Sequence, residues 1–289
     1  MSGTIIKTFR LPKSLTIAWS QMLLETCSLA VAHDGPVTFD FENVQWVEPF
    51  GLTVISIALS TCLHQGKDVF YSPPVNKVAN DFLDQIGFRR YFLRENAARS
   101  ASTSVELKHL LSPDHGYGLA IVNLIANNID LCRDSQLEMY TQINELMTNV
   151  FDHSKSPVGC FICAQFYPKT KLVRFTFADG GIGILNSLKK SGKFPAVKTD
   201  VNAIRLAVQP GITTRTTQCG GLGLDFVKKY TRNNKGTLSI ISGHGKVNFY
   251  MNKIEDKFED IKFDGTIVDI KISTDVPLNT REDSENDLF

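Results

Sequence analysis

The chain has 289 residues, with 31 Lys and Arg against 30 Asp and Glu for a formal net charge of +1. That balance supplies no broad electrostatic drive toward nucleic acid or an anionic membrane, so neither is expected as a partner. A 43% hydrophobic content suits ordinary globular cores, and no apolar run approaches the roughly 18 residues of a spanning helix.

The length predicts two domains. Met1 to Lys7 lack a signal peptide's apolar core, and the six cysteines are scattered among apolar neighbours. Both features predict a cytoplasmic protein with reduced thiols.

Residues 1–95 read as a small αβ domain. A strand is expected at 37–41, and 43–47 continues it or turns. Gly51 begins a long apolar helix that ends near Gly66, and 67–71 is a further strand. A helix over 75–86 is stopped by Gly87, with Phe88 packing after it. Glu48 reads as an exposed loop carboxylate.

Residues 96–115 read as a linker, polar and small, with a short strand at 104–111 and a turn at Pro113 to Gly116. The stretch 118–131 is apolar enough for a helix. The next helix is expected to start from Ser135 as N-cap, with Leu137, Tyr140, Ile143, Met147, Val150 and Phe151 at mainly helical spacing. On it, Glu145 and Asn149 stand at i and i+4 and so project from one face. An acid and an amide there can polarise a water and hold Mg²⁺, which takes oxygen ligands. His153 reads as a packed residue at the helix end. Cys160 and Cys163 form a C-x-x-C inside a strand, where a spacing of three puts them on opposite faces. That spacing argues against a zinc site.

The run 171–178 reads as a buried strand leading straight into Asp179 and the glycines Gly180, Gly181 and Gly183. An Asp in that place can accept a hydrogen bond from an exocyclic amine such as that of adenine. Lys189, Lys190 and Lys193 read as a solvated run, and 201–208 as a helix. The polar stretch 209–220 has a turn at Pro210-Gly211 and carries one charge, Arg215. Gly220, Gly221 and Gly223 open a helix over 222–232, where free N–H groups can meet phosphate. Neither glycine run fits a Walker loop or a Rossmann fingerprint. Residues 237–242 and 246–251 are expected to form a hairpin around Gly243-His244-Gly245, and 265–272 a closing strand. The acidic tail, 274–289, is expected to be disordered.

The order of these motifs resembles a known family. Glu145-x-x-x-Asn149, then Asp179-x-Gly181-x-Gly183, then Gly220-Gly-Leu-Gly-Leu224, then Gly265-Thr266 before a last strand is similar to the GHKL ATPases. That family includes gyrase-type topoisomerases, MutL-type mismatch-repair proteins, large heat-shock chaperones and the kinase domains of two-component and anti-sigma systems. The resemblance covers roughly residues 110–273 and implies a Bergerat-fold α/β sandwich over 116–273, a mixed sheet with helices on one face and ATP bound under a mobile lid. It implies Glu145 as the general base that orients water, and Asn149 as the Mg²⁺ ligand. It implies Asp179 as the reader of the adenine amino group, with Gly181 and Gly183 passing close to the nucleotide and Thr266 supporting the adenine end. Gly221 and Gly223 would cradle phosphate, and the lid would be roughly 209–220, with Arg215 reaching the phosphates on closure. Asp152 stands where kinase-type members often carry a Lys, and no separate helix carries a phosphoacceptor His followed by an acid, so a two-component kinase is not expected.

The first domain resembles STAS domains, through Phe39-Asp40-Phe41-Glu42-Asn43-Val44, Pro49-Phe50-Gly51-Leu52 and Phe82-Leu83-Asp84-Gln85-Ile86-Gly87-Phe88. It lacks the phosphoacceptor Ser, since Glu48-Pro49-Phe50 stands in its place, so a binding or dimerisation platform is implied. The overall expectation is an α+β protein, a STAS-like domain followed by a Bergerat fold. Its leading function is a Mg²⁺-dependent ATPase whose lid regulates a protein partner, with a homodimer by analogy. An anti-sigma-type serine/threonine kinase acting on a separate STAS partner is the alternative, and an ATP sensor with negligible turnover the second.

Overall fold

The computed structural model describes residues 6–93, 102–129, 131–212, 235–250 and 253–275, together with Leu224, Lys228 and Thr231. Within them the protein is mixed α and β, with three sheets.

The N-terminal half runs β1 (Lys7–Arg10), β2 (Ser14–Leu15), α1 (Ser20–Ala32), β3 (Val37–Asp40), β4 (Trp46–Val47), α2 (Pro49–His64), β5 (Val69–Ser72), α3 (Lys77–Gln85) and α4 (Phe88–Leu93). Strands β1, β3 and β5 form a parallel sheet, and β2 pairs with β4. Parallel neighbours need crossovers, which α1 and α2 supply. Pro49 suits the first turn of α2, where its missing N–H costs nothing. Gly87, at φ +81°, ends α3 as its position in the sequence predicts.

The second half runs β6 (Ser104–Leu110), α5 (His115–Ala126), α6 (Arg133–Ser154), β7 (Cys160–Tyr167), β8 (Leu172–Asp179), α7 (Gly183–Ser191), α8 (Asp200–Ala207), β9 (Thr237–Phe249) and β10 (Ile254–Ser273). Five strands stand in the order β6-β7-β8-β10-β9. The expected sheet is mixed, but every pairing in this one is antiparallel. The strand expected inside the linker is β6, the edge of this sheet paired to β7, so residues 104–110 are not a free spacer. Helix α6 begins at Arg133 with Cys132 as N-cap, one turn before the expected Ser135.

The hairpin at 243–245 does not exist. β9 runs unbroken from 237 to 249. Its glycines answer a different need. A β-carbon on Gly243 would lie 2.3 Å from Asp200 Oδ1, and one on Gly245 2.9 Å from the Asp200 backbone. The strand lies against the start of α8, and His244 N–H donates to Asp200 Oδ2 at 3.0 Å.

Both faces of the large sheet are covered. Cys160, Ile162, Phe175 and Phe177 face α5 and α6 in one core. Phe161, Cys163, Ala178 and Ile267 face the other way, into a core shared with Phe39, Phe50, Leu52 and Ile57 of the N-terminal half. Cys160 and Cys163 thus lie on opposite faces, as their spacing predicts. This sandwich explains why α2 is apolar all round: 13 of its 16 residues are buried.

Polar pairs pin the two halves together. Glu48, read from sequence as exposed, is 9% exposed and accepts from Arg174 Nη1 at 2.6 Å, because α2 starts directly over the back of β8. Burial pushes Glu48 above the usual carboxylate range, opposed by Arg174. Asp269 is also raised by burial, and it accepts from the Thr176 hydroxyl at 2.6 Å. Near α1, the Lys246 ammonium donates to Ser20 Oγ at 2.8 Å and to the Ile17 carbonyl at 3.2 Å.

Candidate functional site

Strand β8 lies inside the sheet, flanked by β7 and β10. At its end Asp179 is paired in register with Cys160 on β7 and Thr266 on β10. The carboxyl group is 2% exposed. Its Oδ1 accepts from Gly181 N–H at 2.9 Å, and the Thr266 N–H also bonds to it. Burial pushes its pKa up to about 7, while those two N–H groups favour the charged form and hold it back. Buried Cys160 beside it is raised too, by burial first and by the Asp179 charge second.

The surroundings of Asp179 are built by close backbone approach. A β-carbon on Gly181 would come within 2.0 Å of the Ser154 carbonyl oxygen, and Ile182 N–H donates to that same oxygen at 2.7 Å. The turn after β8 therefore rests on the last residue of α6. Gly265, at φ +127°, leaves no room for a side chain, since a β-carbon would meet the Asp179 carbonyl at 1.9 Å. Ser242, on β9, ties the pieces together. Its hydroxyl donates to the Gly265 carbonyl at 2.9 Å and accepts from Ile184 N–H at 2.9 Å. It also lies 3.4 Å from Thr266 Oγ1.

Over this floor lies a cleft of about 890 Å³ including its open mouth. Helix α6 contributes Leu146, Asn149, Val150 and His153, and α7 contributes Gly183, Ile184 and Leu188. Phe177, Asp179, Thr266 and Val268 come from the sheet, and Ala207, Ile212 and Leu224 close the far side. A mostly apolar cleft with a few convergent polar groups is the usual form of a small-molecule site.

The cleft brings together Asn149, Asp179, Gly183 and Thr266 from three separate stretches of sequence. Gly181 stands behind it as the turn that feeds Asp179 a hydrogen bond. Glu145 is half-buried on α6, one turn before Asn149 and outside the lining. Arg215, Gly221 and Gly223 lie outside the described residues, as does most of the expected lid at 209–220. Within the expected helix at 222–232, Leu224, Lys228 and Thr231 are helical.

Sequence reasoning missed two contributors. His153 is a half-buried residue in the last turn of α6, as expected, and it lines the cleft as well. Its spacing was the available signal, since 146, 149, 150 and 153 share one helical face. Ser242 was hidden by the false hairpin, which put it beside a turn rather than mid-strand.

No protein-family model matches the chain, and no curated protein matches it. Among the described residues, no helix is long and apolar enough to cross a membrane.

Proposed function

We propose that the protein binds ATP in this cleft and hydrolyses it with Mg²⁺, and that the nucleotide state controls its contact with a protein partner. In this reading residues 1–95 are a STAS-like unit and 116–273 a Bergerat-type ATPase unit, with β6 from the preceding segment as the edge of its antiparallel sheet. The observation that carries it is Asp179, a carboxyl group 2% exposed at the floor of an apolar cleft. Burying such a group is costly, and the Gly181 and Thr266 N–H groups offset part of that cost while the residue still lines the cleft. The exocyclic amine of adenine is a donor matched to a carboxylate acceptor, whereas guanine presents a carbonyl oxygen at the same ring position. Phe177, Ile184, Leu188 and Val268 supply apolar walls for the ring.

The described residues include no group of three or more His, Cys, Asp or Glu suited to a metal. That suits Mg²⁺, which is commonly bound by one or two protein ligands together with substrate phosphates. Asn149 would provide such an oxygen. When bound, the ion neutralises phosphate charge and orients the terminal phosphate. Glu145, one turn along the same helix, takes the proton of the attacking water as general base. Gly221, Gly223 and Arg215 are assigned to the phosphates from the sequence pattern alone.

The alternative is phosphoryl transfer to a separate protein. Transfer to the chain's own STAS-like unit is disfavoured, because Glu48-Pro49-Phe50 is buried against the face of the sheet opposite the cleft. ATP labelled on the γ-phosphate separates the readings. Free phosphate from the wild type, abolished in Glu145→Ala, supports hydrolysis. Label arriving on another protein of a cell extract, dependent on this chain, replaces hydrolysis with a kinase. ATP binding without label movement leaves a sensor.

A further inference from the structure

The turn that carries Asp179 is supported from behind by the N-terminal half. A β-carbon on Gly180 would lie 3.1 Å from Ile57 Cγ2, 3.2 Å from Val158 Cγ2 and 3.8 Å from Ser156 Oγ. Ile57 is 5% exposed on α2 and belongs to the core that joins both halves. Gly180 sits between the two residues that form the floor, since Gly181 N–H donates to Asp179 Oδ1. The N-terminal end of α2 is fixed to the same sheet, eight residues before Ile57. Glu48 pairs with Arg174 there, and Cys163 Sγ approaches the Pro49 carbonyl at 3.8 Å. From Pro49 to Ile57 a helix advances about 12 Å. Helix α2 is therefore a strut laid across the back of β7 and β8, with its far contact under the Asp179 turn.

We propose that Ile57 is a positioning residue for the nucleotide base: through Gly180 it sets the height of the Asp179–Gly181 turn, so the docking of α2 and the affinity of the cleft are coupled. The functional consequence rests on the ATP-binding reading, while the mechanical coupling does not. Coupling of this kind is reciprocal. Nucleotide in the cleft tightens the docking of α2, and whatever shifts α2 changes the affinity. The side chain is not among those lining the cleft and acts only through the turn.

The test uses two substitutions and two readouts. Gly180 has no left-handed φ, so Gly180→Ala strains only the contact with its neighbours. Ile57→Leu removes the γ2 methyl at constant volume. The first readout is the titration of the Asp179 carboxyl by NMR without nucleotide; His153 in the cleft and Cys160 beside it are the titratable neighbours to follow. The second is ATP affinity by calorimetry. Gly180→Ala is expected to move the titration by about half a unit and to weaken ATP about tenfold. Ile57→Leu alone lets the turn settle toward α2 and is expected to move the titration the other way by a smaller amount, and the double variant restores both readouts. A double variant that keeps the Gly180→Ala defect overturns the proposal, as does an unchanged Asp179 titration in Gly180→Ala. A rescued titration in a protein that binds no ATP supports the coupling and defeats the nucleotide reading. Should Gly180→Ala not fold, Ile57→Ala replaces it, and an Asp179 titration identical to wild type then overturns the proposal.

Discussion

Asp179 is held where its charge is unwelcome and its lone pairs are useful. In the unfolded chain it ionises near the ordinary aspartate value of about 3.9. In the folded chain it ionises at about 7. Between those values the unfolded state has released a proton that the folded state keeps. Its contribution therefore lowers stability as pH rises from about 4 to about 7, and is constant above that. Asp179→Asn removes this dependence. Urea unfolding is expected to show the wild type losing, from about pH 4 to about pH 8, stability on the order of a few kcal/mol that the variant does not lose. Equal slopes in both proteins would mean the carboxyl is not buried in solution. From sequence Asp179 was readable as an acceptor at a strand end beside glycines, and the structure places it in the cleft lining. Thr266 and Asn149 were legible as members of an ordered set of motifs. Ser242 was not, because a lone serine carries no pattern until the strands around it are known.

Among the elements, helices and strands with a clean period were readable, and glycines were the main source of error. Gly87 ends a helix as its sequence position implies, at φ +81°. Gly243 looked like a turn and is instead a point of contact, with φ +60° and an Asp200 oxygen 2.3 Å from where its β-carbon would be. The chain gives a glycine the same letter for both jobs. Gly243→Ala combines left-handed strain with a clash against the Asp200 carboxylate and is expected to cost on the order of 2 kcal/mol or more. Chemical denaturation measures it, and a loss within about 0.5 kcal/mol, the usual range for tolerant surface positions, would restore the hairpin. The N-cap of α6 was misplaced by a turn because Cys132, the true cap, makes no side-chain capping bond that its identity predicts.

For the whole molecule, the sequence predicts two domains, and the structure joins the two halves through one continuous core. What hid this is the double role of α2. An all-round apolar helix says that it is buried, but not between which layers. The buried polar pairs at this junction are equally invisible until the halves meet. Arg174→Ala strands Glu48, which is 9% exposed, while Asp269 keeps its bond from Thr176. Removing one partner of a buried pair costs about 3–5 kcal/mol. Unfolding followed by a probe in each half is expected to give one coincident transition in the wild type, shifted down in Arg174→Ala. Two separate transitions in the wild type would show that the halves fold independently and that the junction is weak.

Equilibrium binding decides whether the cleft over Asp179 takes adenine. Calorimetric titrations of ATP and of GTP, each with Mg²⁺, into the wild type and Asp179→Asn would be compared. Saturable binding of ATP by the wild type is expected, with weaker binding of GTP and a loss of about tenfold or more in ATP affinity in Asp179→Asn, the size expected when a buried hydrogen bond to a charged group is lost. Wild-type protein that binds neither nucleotide, or an Asp179→Asn variant that binds ATP as well as the wild type, would contradict the adenine reading.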